Sequence, residues 1–177
     1  AEFYRHMDAA NIDLKAFTDD FYRHTCAGRL APVLDTLLYV RHQTKTWLEV
    51  TTLLIPGLND SSPEITRLSS WVFAELGPDV PLHFTAFHPD YKMRDRPRTP
   101  PQTLTRAREI ARQEGARYVY TGNVFDPLGQ TTTCHSCGEV LIARDGYAIT
   151  DWSLVEGCCP QCGTRCAGHF GPEAEGV

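Results

Sequence analysis

Along the first 130 residues, short runs with apolar residues at every second place alternate with longer stretches in which they recur every three or four. NIDLKAF (11–17) predicts a strand, and LAPVLDTLLYVRHQ (30–43) a helix with Leu30, Val33, Leu34, Leu37 and Leu38 on one stripe. WLEVTTLLI (47–55) is rich in β-branched residues and closed by Pro56-Gly57, the signature of a strand that ends sharply. Ser62 is placed to cap a helix ahead of Pro63. Ile65, Leu68, Val72 and Leu76 keep helical spacing up to Gly77. PLHFTAF (81–87) predicts a third strand, LTRAREIARQEG (104–115) a third helix ending at Gly115, and RYVYTGN (117–123) the last strand. Strands alternating with amphipathic helices imply parallel pairing through right-handed crossovers, an α/β layout.

The strands are apolar on one side only. Asn11, Asp13 and Lys15 share a face opposite Ile12, Leu14 and Ala16; Glu49 and Thr51 lie with Leu53; His83 and Thr85 lie opposite Leu82, Phe84 and Ala86. A sheet covered by helices on both sides has near-continuous apolar strands. The polar faces instead fit a sheet curved into a partial barrel, with helices outside and a wet, ligand-binding interior. An open sheet with one solvated face would show the same alternation.

The last 47 residues carry different chemistry. Cys134-His135-Ser136-Cys137-Gly138 and Cys159-Pro160-Gln161-Cys162-Gly163 repeat one pattern, a pair of thiols two residues apart followed by glycine. That spacing lets a tight turn aim both sulfurs at one ion, and the glycine is expected to relieve crowding where the backbone folds back. Cys134, Cys137, Cys159 and Cys162 are therefore the expected ligands of a tetrahedral, structural zinc site, with iron as the other metal the pattern admits. Residues 138–158 separate the pairs, slightly more than is usual. Cys26, Cys158, Cys166, His135 and His169 are expected to be ordinary surface or packed residues, because the four-thiolate set is complete without them.

Composition narrows the setting. The chain of 177 residues is 42% hydrophobic and 22% charged, enough for one domain and a small appendage. Its net charge of −5, with basic residues scattered apart from Arg94 to Arg98, argues against a nucleic-acid partner. No segment approaches a membrane span, and the first residues lack the basic and apolar regions of a secretion signal, so a cytoplasmic protein is expected. Seven cysteines in a reducing compartment suit metal binding better than disulfides.

Taken in order, NIDLKAFTDDFYRHTCAGRL, EVTTLLIPGLNDS, HFTAFHPDYKM, YVYTGNV and the paired knuckles resemble the C-terminal part of the AmmeMemoRadiSam-system radical SAM enzymes, relatives of pyruvate formate-lyase activating enzyme. The resemblance spans nearly the whole chain. It implies the C-terminal half of a radical SAM partial TIM-type barrel over residues 1–130, then a zinc-ribbon-like tail over 131–177, where the C-x-x-C-G and C-P-x-C-G forms also admit a rubredoxin-like one. It also implies S-adenosylmethionine and a [4Fe-4S] cluster as cofactors of the full enzyme. By the same resemblance Asp13 and Lys15 contact the cofactor's methionine end, Thr51 stands toward its ribose although the relatives carry a different residue there, and His88 lies at the barrel mouth. Memo-like and AMMECR-like proteins are implied as partners.

The C-x-x-x-C-x-x-C loop that holds the cluster in those enzymes does not occur in this sequence. Cys159, Cys162 and Cys166 have the gaps in reverse order and follow the last strand. With no initiating methionine, the chain is expected to be a C-terminal fragment or incomplete copy, partnered by an N-terminal half with the cluster loop and inactive alone. Two other functions remain open: a zinc-ribbon binding module on an α/β scaffold, and a rubredoxin-like electron-transfer site. Residues 138–158 hold one arginine, no lysine and four acids, Glu139, Asp145, Asp151 and Glu156, which disfavours a nucleic-acid-binding ribbon.

Overall fold

The computed structural model describes residues 2–170, so residues 171–177 of the expected tail lie outside the described part. The chain divides into two compact units, Ala1–Val124 and Phe125–Val177.

The first unit is built on four parallel strands in sequential order: β1 (Ala9–Asp13), β2 (Trp47–Leu54), β3 (Leu82–Ala86) and β4 (Val119–Gly122). Helices α1 (Asp19–Thr25) and α2 (Leu30–Gln43) join β1 to β2, α3 (Ser62–Trp71) joins β2 to β3, and α4 (Pro101–Gln113) joins β3 to β4. One apolar cluster combines Leu48, Val50, Leu54, Leu82, Phe84, Ala86 and Val119 of the strands with Leu37, Val40, Ile65, Leu68, Leu104, Ala107 and Ala111 of the helices. The long helices therefore pack on one face of the sheet. Phe84 is fully buried at its centre, and burying a side chain of that size stabilises by roughly 1.5–3 kcal/mol.

Several boundaries differ from the pattern in the sequence, each for a visible reason. β1 starts at Ala9, because Ala9 and Ala10 pair with Trp47 and Leu48, and its ladder stops at Asp13 rather than Phe17. Past that point side chains take over the backbone's hydrogen bonds: Lys15 N donates to the Tyr22 hydroxyl at 2.9 Å, Asn59 Nδ2 donates to Lys15 O at 2.6 Å, and Phe17 N donates to the buried Glu64 carboxylate at 2.9 Å. The short α1 has no apolar stripe long enough to predict it. It forms because the Thr18 hydroxyl caps the Phe21 amide, acids lie in its first turn and bases in its last.

Ser61, not Ser62, occupies the N-cap of α3, and its side chain makes no cap bond. At its far end α3 widens into a π turn, Val72–Leu76, whose carbonyls face the end of α2: Arg41 Nε donates to Leu76 O at 2.6 Å and His42 Nε2 lies 2.8 Å from Glu75 O. Gly77 ends it at φ +96°. Helix α4 starts at Pro101, three residues earlier than the apolar spacing indicates, with proline in the first turn where a missing N–H costs nothing.

The second unit opens on α5 (Pro127–Gln130) and a three-stranded antiparallel sheet, β5 (Thr132–Thr133), β6 (Val140–Asp145) and β7 (Ala148–Trp152). Arg144 Nη1 donates to Gln130 O and Thr132 Oγ1, tying these pieces together. Few apolar side chains are buried here, chiefly Leu141, Ile142 and Leu154. No helix among the described residues is long and apolar enough to cross a membrane.

Candidate functional site

The two C-x-x-C segments fold into the same turn. Gly138 N donates to Cys134 O and Gly163 N to Cys159 O, both at 2.9 Å; Cys134 N donates to Glu139 O at 2.8 Å and Cys159 N to Thr164 O at 2.9 Å. Both glycines have positive φ, +81° and +72°, and no atom lies within 4 Å of where a Cβ would stand. The glycines are thus required by the backbone's left-handed turn and not by crowding, a correction to the expectation from sequence.

The four sulfurs converge to within 4.8 Å of one another. Cys134 Sγ lies 3.6 Å from Cys162 Sγ, and Cys137 Sγ the same distance from Cys159 Sγ. Four thiolates around one ion at bonds of about 2.3 Å stand ~3.8 Å apart, whereas a disulfide brings sulfurs to about 2.05 Å. The donor set therefore fits a four-coordinate metal. The Glu139 amide favours the Cys137 thiolate, but desolvation and the three neighbouring sulfurs outweigh it and push the thiol up to about 12. The Thr164 hydroxyl and amide draw Cys162 down to about 6. One negative sulfur makes the next harder to ionise, a conflict that a cation at the centre removes. Cys166 is buried outside the group, its Sγ 3.8 Å from Ala167 O. Cys26 is likewise apart, and desolvation pushes its thiol up.

In the first unit, the sheet face opposite the helices carries polar side chains, among them Asp13 and Thr51. Asp13 and Lys15 meet as an ion pair, Lys15 Nζ to Asp13 Oδ2 at 2.5 Å, about half exposed, just where β1 leaves the ladder. Thr51 is the register partner of Asp13, but its hydroxyl donates to Asn11 Oδ1 at 2.8 Å. His88 follows β3 and is exposed; it shares no hydrogen bond or ion pair with the other three among the described residues. The structure thus brings Asp13, Lys15 and Thr51 onto neighbouring positions and leaves His88 on a loop.

Asn59 has a larger role than a turn residue. Its amide donates to Lys15 O and Leu53 O, and its Oδ1 accepts from Ile55 N, so one buried side chain fixes the ends of β1 and β2 together. Asp60 keeps the turn role, accepting from Gly57 N. Two interacting residues were recognised in sequence only as polar strand positions: Glu49 and His83, whose Oε2 and Nε2 lie 2.8 Å apart. They sit on different strands, and nothing in the local pattern of either one announces the pairing.

No family model matches the chain. In fold it is similar to the crystal structure of a domain of pyruvate-formate lyase-activating enzyme from Bacteroides vulgatus, with a TM-score of 0.60 at 15% identity, covering 69% of this chain and 71% of that one. In sequence it is 45% identical over 138 residues, 78% of its length, to uncharacterized protein MJ0808 of Methanocaldococcus jannaschii. The match covers 41% of that protein, so the chain spans about two fifths of this relative's length.

Proposed function

We propose that the first unit is the C-terminal half of a radical SAM partial barrel and that the sulfur group of the second unit is a structural zinc site in a ribbon-like tail. The observation that carries the first statement is the one-sided parallel sheet, whose uncovered face bears linked polar side chains and, where β1 ends, the Asp13–Lys15 pair. The likeness in fold to an activating-enzyme domain supports it. Ligand-contacting groups in sheets of this kind concentrate at the C-terminal ends of strands.

Bound S-adenosylmethionine at a reduced cluster would supply reductive cleavage and hydrogen abstraction. The residues of this chain bind and orient. The Lys15 ammonium can pair with a carboxylate of the ligand and the Asp13 carboxylate with its ammonium, each replacing the other as partner. Because the pair is exposed, giving it up costs at most about 1 kcal/mol. The residues do not fit the cluster itself. The required cysteine triple is absent, and the one group of three or more metal-ligating side chains among the described residues is the four-sulfur set. The cluster ligands are therefore assigned to a segment outside these residues.

Three measurements test this. The chain should bind S-adenosylmethionine in calorimetry, with Asp13→Asn and Lys15→Met each weakening binding at least tenfold; equal binding by both variants would refute the assignment. Anaerobic iron reconstitution of the chain alone should give neither 4Fe-4S absorbance nor 5′-deoxyadenosine. For the tail, metal analysis separates colourless protein with one zinc from red protein with one iron, the outcome that would favour electron transfer. A partner-binding tail is a second reading, favoured by the exposed Tyr147, Ile149 and Val155.

A further inference from the structure

The polar sheet face holds a constellation that the proposed cofactor contacts leave unused. Glu49 on β2 places its carboxylate between two donors, with the Trp47 indole Nε1–H at 3.1 Å from Oε1 and His83 Nε2 at 2.8 Å from Oε2. The His83 ring, on β3, stacks on Tyr120 of β4 with centroids 5.2 Å apart and planes at 28°. Three strands thereby fix one imidazole, by a carboxylate at its edge and a phenol ring across its face.

An ionised carboxylate only accepts, so the Nε2 beside it carries the hydrogen. In the neutral ring Nδ1 is then left with its lone pair. No hydrogen bond to Nδ1 is found among the described residues, and the side chain keeps 27% of its surface exposed. The exposed His42 is also held through one nitrogen, but by a backbone carbonyl; His83 is held by a carboxylate on a neighbouring strand and by a stacked ring. His83 is anchored at one nitrogen and open at the other, the arrangement of an oriented general base. A metal would need further ligands, and the four-sulfur set is the one such group among the described residues.

We propose that His83 is the proton-accepting group of this face: its Nδ1 takes a hydrogen bond from, and can deprotonate, an O–H or N–H group of a small polar molecule bound against β1 to β3, with Glu49 as its positioning residue. The transfer forms the Nδ1–H bond and breaks the ligand's O–H or N–H bond. The electron pair stays on the ligand, and the imidazolium is balanced by Glu49. His83 pairs in register with Thr51, and Thr51 with Asp13. Two strand spacings, about 10 Å, thus separate it from the Asp13–Lys15 pair. A ligand with its ionic end at β1 would present its reacting group over β3. That placement rests on the function proposed above, whereas the proton-accepting role does not.

The test uses the whole, zinc-loaded chain with ¹⁵N-labelled histidine rings, and diethyl pyrocarbonate as a probe read by peptide mapping. The expected result is the Nε2–H tautomer of His83, carbethoxylated at a rate comparable to the exposed His88. Glu49→Gln should mix the tautomers and slow reaction at Nδ1 about twofold, because about half of the rings then carry their hydrogen on Nδ1. His83→Gln should leave the thermal midpoint unchanged, which excludes a structural role for the ring. An Nδ1–H tautomer, or an inert His83 beside a reactive His88, would overturn the proposal. Adding S-adenosylmethionine separates the two readings. Protection of His83 with amide shifts at Asp13 and Lys15 supports both; a reactive His83 without protection upholds its proton-accepting role and counts against the cofactor's placement.

Discussion

The two units solve the problem of stability in opposite ways. Residues 9–122 bury a continuous apolar cluster between four strands and their helices, so the opposite face of the sheet is free to be polar. The second unit buries few apolar side chains, and two of its four converging cysteines, Cys134 and Cys159, are among its buried residues. Units this poor in core need a metal or cross-link to fold. The contrast teaches where chemistry can reside. In the first unit the polar groups of the open sheet face are spared from holding the core and are free to meet a ligand, whereas in the second the thiols hold the unit together, and four of them leave a metal no open position for substrate.

The strongest way to break that contrast is to remove the metal. Chelation should abolish amide-exchange protection from residue 125 to 170 and leave β1 to β4 protected, because metal binding of this kind is worth roughly 10–16 kcal/mol to the folded state. Unchanged protection in the second unit would mean that its apolar residues suffice. The reciprocal lesion is Phe84→Ala, expected to cost the first unit about 3–5 kcal/mol in urea denaturation without altering bound metal. Asn59→Ala comes next. It leaves a buried backbone amide and carbonyls without partners and should cost about 1–3 kcal/mol, again in the first unit alone.

Smaller effects sharpen the comparison. Gly138→Ala forces a Cβ into a left-handed turn with open space around it, so the expected cost is about 1 kcal/mol, or roughly fivefold in metal affinity. A larger loss, with Cβ meeting nothing, would show that the turn is tighter than its geometry indicates. Asp13→Asn should change stability by less than about 1 kcal/mol, since it removes an exposed ion pair, and yet abolish most ligand affinity. Stability and binding would then be separable on the sheet face, as they cannot be in the sulfur site.

What the sequence revealed follows the same division. The sulfur group is legible outright, because both knuckles are local: five residues of pattern specify each turn. The parallel sheet and its polar face are legible from alternation, since period two places Asn11, Glu49, Thr51 and His83 on one side whatever the partners. Three features lay beyond local pattern. The end of β1 at Asp13 depends on Tyr22, Asn59 and Glu64, which satisfy residues 15–17 from distant parts of the chain. Helix α1 is written in capping residues and charges instead of an apolar stripe. The Glu49–His83 contact joins residues 34 positions apart, and only the strand register brings them face to face.

The claim that the polar face binds a sulfonium cofactor is tested most directly by amide chemical-shift mapping of the ¹⁵N-labelled, metal-loaded chain during titration with S-adenosylmethionine. The account predicts saturable shifts centred on Asn11, Asp13, Lys15 and Thr51, with the helices and residues 125–170 unmoved. Shifts confined to the helical side or to the sulfur-bearing unit, or none at millimolar ligand, would contradict it.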